Sequence, residues 1–369
     1  MVLLWLRVLW SDHDVLAVSP ILKRVVYPCL ANSGYLRRRA EGGSFCVITY
    51  HGILPDGYRV SDPQQDGSLV TADNFRSQLR LLKKCYRVVT PDQVRDWLVD
   101  GKALPELAVL LTCDDGLRNT LTGMAPILQA EELSCLFFVL GASAAERHSQ
   151  LWYEELYTML LAAPSGRYAI EPVGTFDLGD RTQRRSLWGR LLKTLSQHDQ
   201  PTRTGFLKAA RVEFGLPEQW DARVSNEEAS QQRFSILNAA DLRELVQQGM
   251  GIGAHTLNHP ILSQQSSDQA WKEISESRSL LEAAVGTQIW ALAYPFGDPA
   301  SVTAREFRMA EQSGFQCAFM NVGGGFGAQL PRFALPRVHV TADMTLSEFE
   351  AHVSGFHRAF RSRLSRDTA

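Results

Sequence analysis

Leu107-Ala108-Val109-Leu110-Leu111-Thr112-Cys113-Asp114-Asp115-Gly116 is the stretch whose reading decides the fold. The apolar run Leu107 to Leu111 ends in two adjacent carboxylates and a glycine, the pattern of a strand that delivers acids to the rim of a sheet. Upstream, Phe45-Cys46-Val47-Ile48-Thr49-Tyr50 is a second apolar, β-branched run, and it ends at His51-Gly52. Between them, Thr71 caps a helix with Asp73 in its first turn and Phe75, Leu79 and Leu82 on one face. A short strand at Val88-Val89 leads into a helix start at Thr90-Pro91-Asp92. Downstream the spacing predicts helix 118–132, strand Cys135 to Leu140, helix 239–248, strand Gly251 to Ala254 and helix 267–285. Strand Trp290 to Tyr294, helix 300–313 and strand Cys317 to Met320 follow.

Strands alternating with helices imply a parallel sheet with helices packed against it. Chemistry-bearing residues at successive strand ends suggest a barrel with its site at the C-terminal rim. Periodicity alone does not separate such a barrel from an open doubly wound sheet. His255-Thr256-Leu257-Asn258-His259 places two imidazoles four residues apart, close enough to hold one ion. One carboxylate with two imidazoles is a ligand set for a catalytic divalent metal that leaves a position open for water. The other carboxylate is then free to act as a base, and the set reads as a metal-dependent hydrolase. Pro260 limits any helix beyond His259, so a loop or single turn is expected there.

Thr112-Cys113-Asp114-Asp115-Gly116 resembles the TFDDG motif of the polysaccharide deacetylases, the NodB-homology group or carbohydrate esterase family 4. Gly253-Ala254-His255-Thr256-Leu257-Asn258-His259-Pro260 is similar to that family's H-S/T-x-x-H-P motif, and Tyr294-Pro295-Phe296-Gly297 to its R-x-P-Y-G motif. The resemblance runs from about Phe45 to about Val340, with a poorly matched stretch between the first two motifs. It implies the family's distorted (β/α) barrel of about seven parallel strands, here with a helical insertion. It also implies Asp114 as general base, with Asp115, His255 and His259 as metal ligands; from the residues alone the two aspartates could be exchanged.

The implied activity is removal of acetyl groups from N-acetylated sugars of a polysaccharide or glycoconjugate, as in exopolysaccharide biosynthesis. Zinc is the default metal, and iron, cobalt, nickel or manganese suit the same donors. Ala293 stands where the third motif usually has arginine, and Arg337 in Leu335-Pro336-Arg337-Val338, which closes the barrel region, is the candidate replacement beside Asp114. The segment that carries the family's usual C-terminal histidine is not found. The chain is closer to the poly-N-acetylglucosamine deacetylase-like branch, whose first strand also ends in Tyr-His, and His51 is therefore the candidate acid or substrate-orienting group. The backbone N–H of Phe296 is the candidate oxyanion donor. Two rivals keep the barrel: an amidase or esterase for another acyl substrate, and a non-catalytic carbohydrate-binding protein. The intact Asp114, Asp115, His255 and His259 argue against the second.

The 369 residues, 45% apolar and 21% charged, suit one large α/β domain or two ordinary ones. The expected organisation is an N-terminal helical segment over 1–42, a barrel over 43–345 with an insertion at 142–236, and a closing helix and tail over 346–369. The insertion carries Trp152, Tyr153, Tyr157, Trp188 and Trp220, which suit either a substrate wall or an ordinary small core. A net charge of -2 gives no footprint for nucleic acid. Six scattered cysteines and a poor signal-peptide pattern point to a cytoplasmic protein. Residues 1–40, rich in arginine and carrying Trp5 and Trp10, suit an outer helix, with peripheral contact to a membrane or assembly complex as the rival. Gly323-Gly324-Gly325-Phe326-Gly327 lacks the Lys-Ser/Thr of a phosphate loop and reads as a loop near the rim.

Overall fold

Strand β3 (Ala108–Cys113) carries Asp114 and Asp115 at its C-terminal end, and every one of its six residues is buried. In the computed structural model, which describes residues 20–40, 45–60, 66–145, 150–217, 227–323 and 331–360, it is flanked by β1 (Cys46–Tyr50) and β4 (Leu136–Val139). The sheet continues through β7 (Gly251–Ala254), β8 (Ala291–Ala293) and β9 (Cys317–Phe319), while β10 (Val338–His339) lies on the far side of β1. All these pairings are parallel. The short β2 (Arg87–Val89) shares an edge of β3 with β4, pairing its lower half. Leu335 bridges to Phe319 of β9, and Val338 and His339 pair with Ile48 and Thr49 of β1, so one segment joins the two ends of the sheet. This is the distorted (β/α) barrel of seven parallel strands that the motifs imply.

Period-two alternation sorts the strand side chains into two layers. Ile48, Tyr50, Val109, Leu111, Phe137 and Val139 pack with Phe75, Leu79 and Leu82 of helix Ala72–Cys85 and with Ile274 and Leu281 of helix Ser267–Val285. Val47, Leu110, Leu136, Phe138, Ala293 and Phe319 form a separate cluster with Val94 of helix Pro91–Asp100. Large-to-small changes in either layer should cost about 2–5 kcal/mol. Thr112 and Asp114, two residues apart, fall on the face of the second cluster, and so does Thr49. The strand ends therefore deliver polar groups to one rim over an apolar plug.

Between β4 and β7 the chain leaves the barrel. Helices Trp152–Ala162, Arg181–Leu195 and Gln200–Glu213 surround their own apolar cluster, which includes Tyr157, Leu160, Leu187, Trp188 and Phe206, and helix Glu228–Phe234 follows. A hairpin of β5 (Gly166–Ile170) and β6 (Gly174–Leu178) adds a ribbon that the helix-like reading of this stretch did not anticipate. Its signal is short: Ile170, Phe176 and Leu178 are buried, and Tyr168, partly buried, meets Phe214 from the same face as Phe176.

Residues 20–40 are helical, and Leu22, Tyr27 and Leu36 pack with Ala351, Phe356 and Phe360 at the C-terminal end. Among the described residues no helix is long and apolar enough to cross a membrane. Residues 1–19, Trp220, most of the glycine run after Gly323 and the basic tail from 361 lie outside the described residues.

Candidate active site

The Asp-Asp-Gly turn leaves β3 through the left-handed region, with φ of 72° at Asp115 and 68° at Gly116. A Cβ at Gly116 would sit 2.9 Å from Val139 Cγ1, so the turn can hug β4 only with glycine there. Thr256, His259 and Phe296 also have positive φ, at 62°, 56° and 62°. Of the six non-glycine residues so placed among the described residues, four lie in the three motifs. Each costs about 1–2 kcal/mol, so the surrounding packing must hold them there, and such strain gathers at functional sites.

Asp115, His255 and His259 converge: their potential ligand atoms lie within 4.8 Å of one another, and all three side chains are buried. Asp115 Oδ1 stands 3.5 Å from His255 Nε2 and 3.4 Å from His259 Nε2. It is buried and has no hydrogen-bond partner. His255 Nδ1 lies 2.8 Å from the Ala293 carbonyl, to which it donates in the tautomer that leaves Nε2 free to ligate. An orphaned carboxylate oxygen facing two imidazole nitrogens, slightly too far for hydrogen bonds, fits one shared divalent cation.

The loop carrying the histidines is a turn, as Pro260 requires, and Glu273 of helix Ser267–Val285 ties it down. Its carboxylate accepts from the N–H groups of Leu257 and Asn258 at 3.0 and 2.7 Å and from Asn258 Nδ2 at 2.9 Å.

Arg337 rises through the barrel interior and is fully buried. It donates to both oxygens of Asp114, Nη1 to Oδ1 at 2.7 Å and Nη2 to Oδ2 at 2.6 Å, and also reaches Thr49 Oγ1 and Thr112 Oγ1. Its guanidinium lies over Phe138 and Phe319 at 5.5 and 6.0 Å. The sequence expectation of a cation beside Asp114 from another strand corresponds to this contact. Burial works against charge on both aspartates. Even so, Arg337 holds Asp114 below its ordinary range, and the two imidazoles hold Asp115 well below it.

A cavity of about 300 Å³ opens onto this group, lined by Asp114, Asp115, His255, His259, His51 and Phe296. The structure thus brings six of the seven sequence-selected residues to its wall and sets the seventh, Arg337, directly behind Asp114. Two further residues, His339 and Glu154, escaped the sequence reading, and Tyr153 entered it only as one of the insertion's aromatics. His339, on β10, packs against His51 with ring centroids 4.7 Å apart, and burial pushes its pKa down to about 3. Tyr153 donates its hydroxyl to Asp115 Oδ2 at 3.1 Å, and Glu154 beside it is buried on the cavity wall. His339 had one legible signal, its place two residues after Arg337 on a closing strand. Tyr153 and Glu154 had only their aromatic, acidic neighbourhood.

Among known proteins, a sequence profile of the family described as polysaccharide deacetylase matches residues 173–318. Over that span the chain resembles the polysaccharide deacetylase family. The matched span includes the histidine motif and Tyr294-Pro295-Phe296-Gly297; Asp114, Asp115 and Arg337 lie outside it. YxkH of Bacillus subtilis (strain 168), whose name places it in the same deacetylase family, is 27% identical over 117 residues, which are 32% of this chain and 41% of that one. The chain thus spans about two-fifths of that relative's length.

Three solved structures are similar in fold. The Streptococcus pyogenes deacetylase PplD, in complex with acetate, gives a TM-score of 0.54 at 16% identity, covering 84% of this chain and 98% of that one. IcaB from Ammonifex degensii gives 0.50 at 18%, covering 85% and 98%. The de-N-acetylase from Aggregatibacter actinomycetemcomitans gives 0.50 at 17%, covering 84% and 99%.

Proposed function

We propose that this chain is a metal-dependent hydrolase that removes acetyl groups from N-acetylated sugars of a polysaccharide or glycoconjugate. The observation that carries the reading is the buried, convergent Asp115, His255 and His259 beside an Asp114 locked by Arg337, all facing one cavity. The acetate in the complex of PplD is the product class this reading requires.

Asp115, His255 and His259 would hold the metal, zinc by default. When bound, it supplies Lewis-acid polarisation of the acetamide carbonyl and makes water a nucleophile near neutral pH. Asp114 takes the proton from the attacking water. Arg337 fixes the carboxylate's direction and keeps it ionised at the cost of some basicity, while leaving lone pairs on both oxygens. The Phe296 N–H, turned by its left-handed backbone, donates to the oxygen on which negative charge develops. His51 returns a proton to the leaving amine. Neutral His339 packs against it, a neighbour that adds no second positive charge at working pH. Tyr153 orients Asp115 from outside.

The test is acetate release from a panel of N-acetylated sugars and oligosaccharides, alongside O-acetyl esters and simple amides. Zinc-loaded protein should release acetate from N-acetylated sugars, and chelation should stop it. Hydrolysis confined to the esters or simple amides would replace the sugar reading with another acyl substrate. Silence across the panel, with metal shown to be bound, would sink catalysis.

A further inference from the structure

The segment between β4 and β7 gives the cavity a wall that the barrel does not supply: Tyr153, Glu154, Trp188, Leu192 and Arg233. The ion-pair arrangement in this wall is incomplete. Arg233, 1% exposed, donates to Asp66 Oδ1 and to Glu154 Oε1, both at 2.7 Å. Glu154 is 5% exposed, and its second oxygen, Oε2, is buried without a hydrogen-bond partner. A buried carboxylate oxygen left bare carries its full desolvation cost, so an unused acceptor on a cavity wall calls for a donor that arrives with a ligand. Trp188 gives its indole N–H to the Tyr153 carbonyl at 2.9 Å, so what it offers the cavity is aromatic carbon. An apolar ring beside an anchored carboxylate is the chemistry that suits a sugar, with its C–H face and its hydroxyls.

We propose that Glu154 Oε2, with Arg233 anchoring Oε1, accepts a hydrogen bond from a ring hydroxyl of the substrate sugar, making this wall the specificity-determining subsite. The inference rests on the proposed deacetylase reading for the identity of the sugar, and on the cavity wall alone for the acceptor. Glu154→Gln keeps a carbonyl for Arg233 but presents a donor in place of the acceptor.

The experiment measures calorimetric binding of an N-acetylglucosamine oligomer to the zinc-loaded full chain carrying Asp114→Asn, with and without Glu154→Gln. A hydrogen bond to a charged group is worth about 1.5–3 kcal/mol, so binding should weaken roughly tenfold to a hundredfold while zinc affinity holds. One monodeoxy oligomer should bind the parent as weakly as the full oligomer binds the variant, and the two losses should not add. In the Asp114-intact enzyme the same change should raise KM and spare most of kcat. Glu154→Asp, which keeps the charge and shortens the reach, stands in if Glu154→Gln does not fold, and should also weaken binding. Binding unchanged within twofold, no coupling to any monodeoxy oligomer, or no binding by the parent would each overturn the subsite. Intact binding that responds to Glu154 in a protein releasing no acetate would uphold the subsite and overturn the catalytic reading instead.

Discussion

Two walls face each other across the cavity, and they are held by different means. The barrel wall is made of strand ends, where Asp114, Asp115, His255 and Phe296 each follow a buried strand within two or three residues. Their backbones are twisted into place, and their side chains are fixed by Arg337, the Ala293 carbonyl and one another. The opposite wall hangs mainly on side chains: Arg233 between Asp66 and Glu154, Tyr153 on Asp115, and the Trp188 indole on the Tyr153 carbonyl. The difference teaches a division of labour. Backbone-held groups can keep sub-ångström geometry for bond breaking, whereas groups held by side chains can be exchanged to suit another ligand without disturbing the barrel.

The comparison is broken most directly on the barrel wall. Asp114→Asn should lower acetate release by about 10³-fold, within the range for a general base, with zinc still bound by elemental assay. Release within tenfold of the parent would move the base elsewhere. Arg337→Ala should lower release by roughly 100-fold or more and also destabilise the fold. It strands Asp114 as a buried, unpaired carboxylate, at about 3–5 kcal/mol, so the thermal midpoint should fall by several degrees. Full activity with an unchanged midpoint would remove Arg337 from the site.

On the opposite wall the effects shrink. Tyr153→Phe should weaken zinc affinity by about tenfold, measured by competition with a chromogenic chelator, with the midpoint of the metal-free protein nearly unmoved. Unaltered affinity would show the hydroxyl to be a bystander. The smallest expected effect is a change of slope with pH. Burial lifts the Glu154 carboxyl to about 7 from 4.5, so between those values the folded state binds more protons than the unfolded one. Stability therefore falls as pH rises through that window. Denaturant titrations at pH 5 and pH 8 should show a smaller drop for Glu154→Gln than for the parent, and an identical drop would mean that the carboxyl is solvated.

The same contrast explains what was legible in the chain. Apolar runs ending in Asp114-Asp115-Gly116 or at His51 announce strands and their rims, because alternation and burial are local properties. His255 and His259 were readable because four residues of backbone limit how far apart they can be. Arg337 was inferred from a missing partner: Ala293 left Asp114 without a cation, and the closing strand held one. Tyr153 meets Asp115 only through the packing of helix Trp152–Ala162 on the barrel, 38 residues away in sequence, and no spacing rule encodes that. Glu154 is bound to Asp66 through Arg233, whose sequence separations of 79 and 167 residues put the cluster beyond pattern reading.

The strap from Leu335 to His339 carries one more consequence. Asp114 and the arginine that neutralises it are 223 residues apart, and the second arrives only when the strap docks between β9 and β1. During synthesis the carboxylate must wait, solvated and idle, until nearly the whole barrel has emerged. A nascent chain stopped before residue 335 therefore lacks the cation that fixes the Asp114 carboxylate.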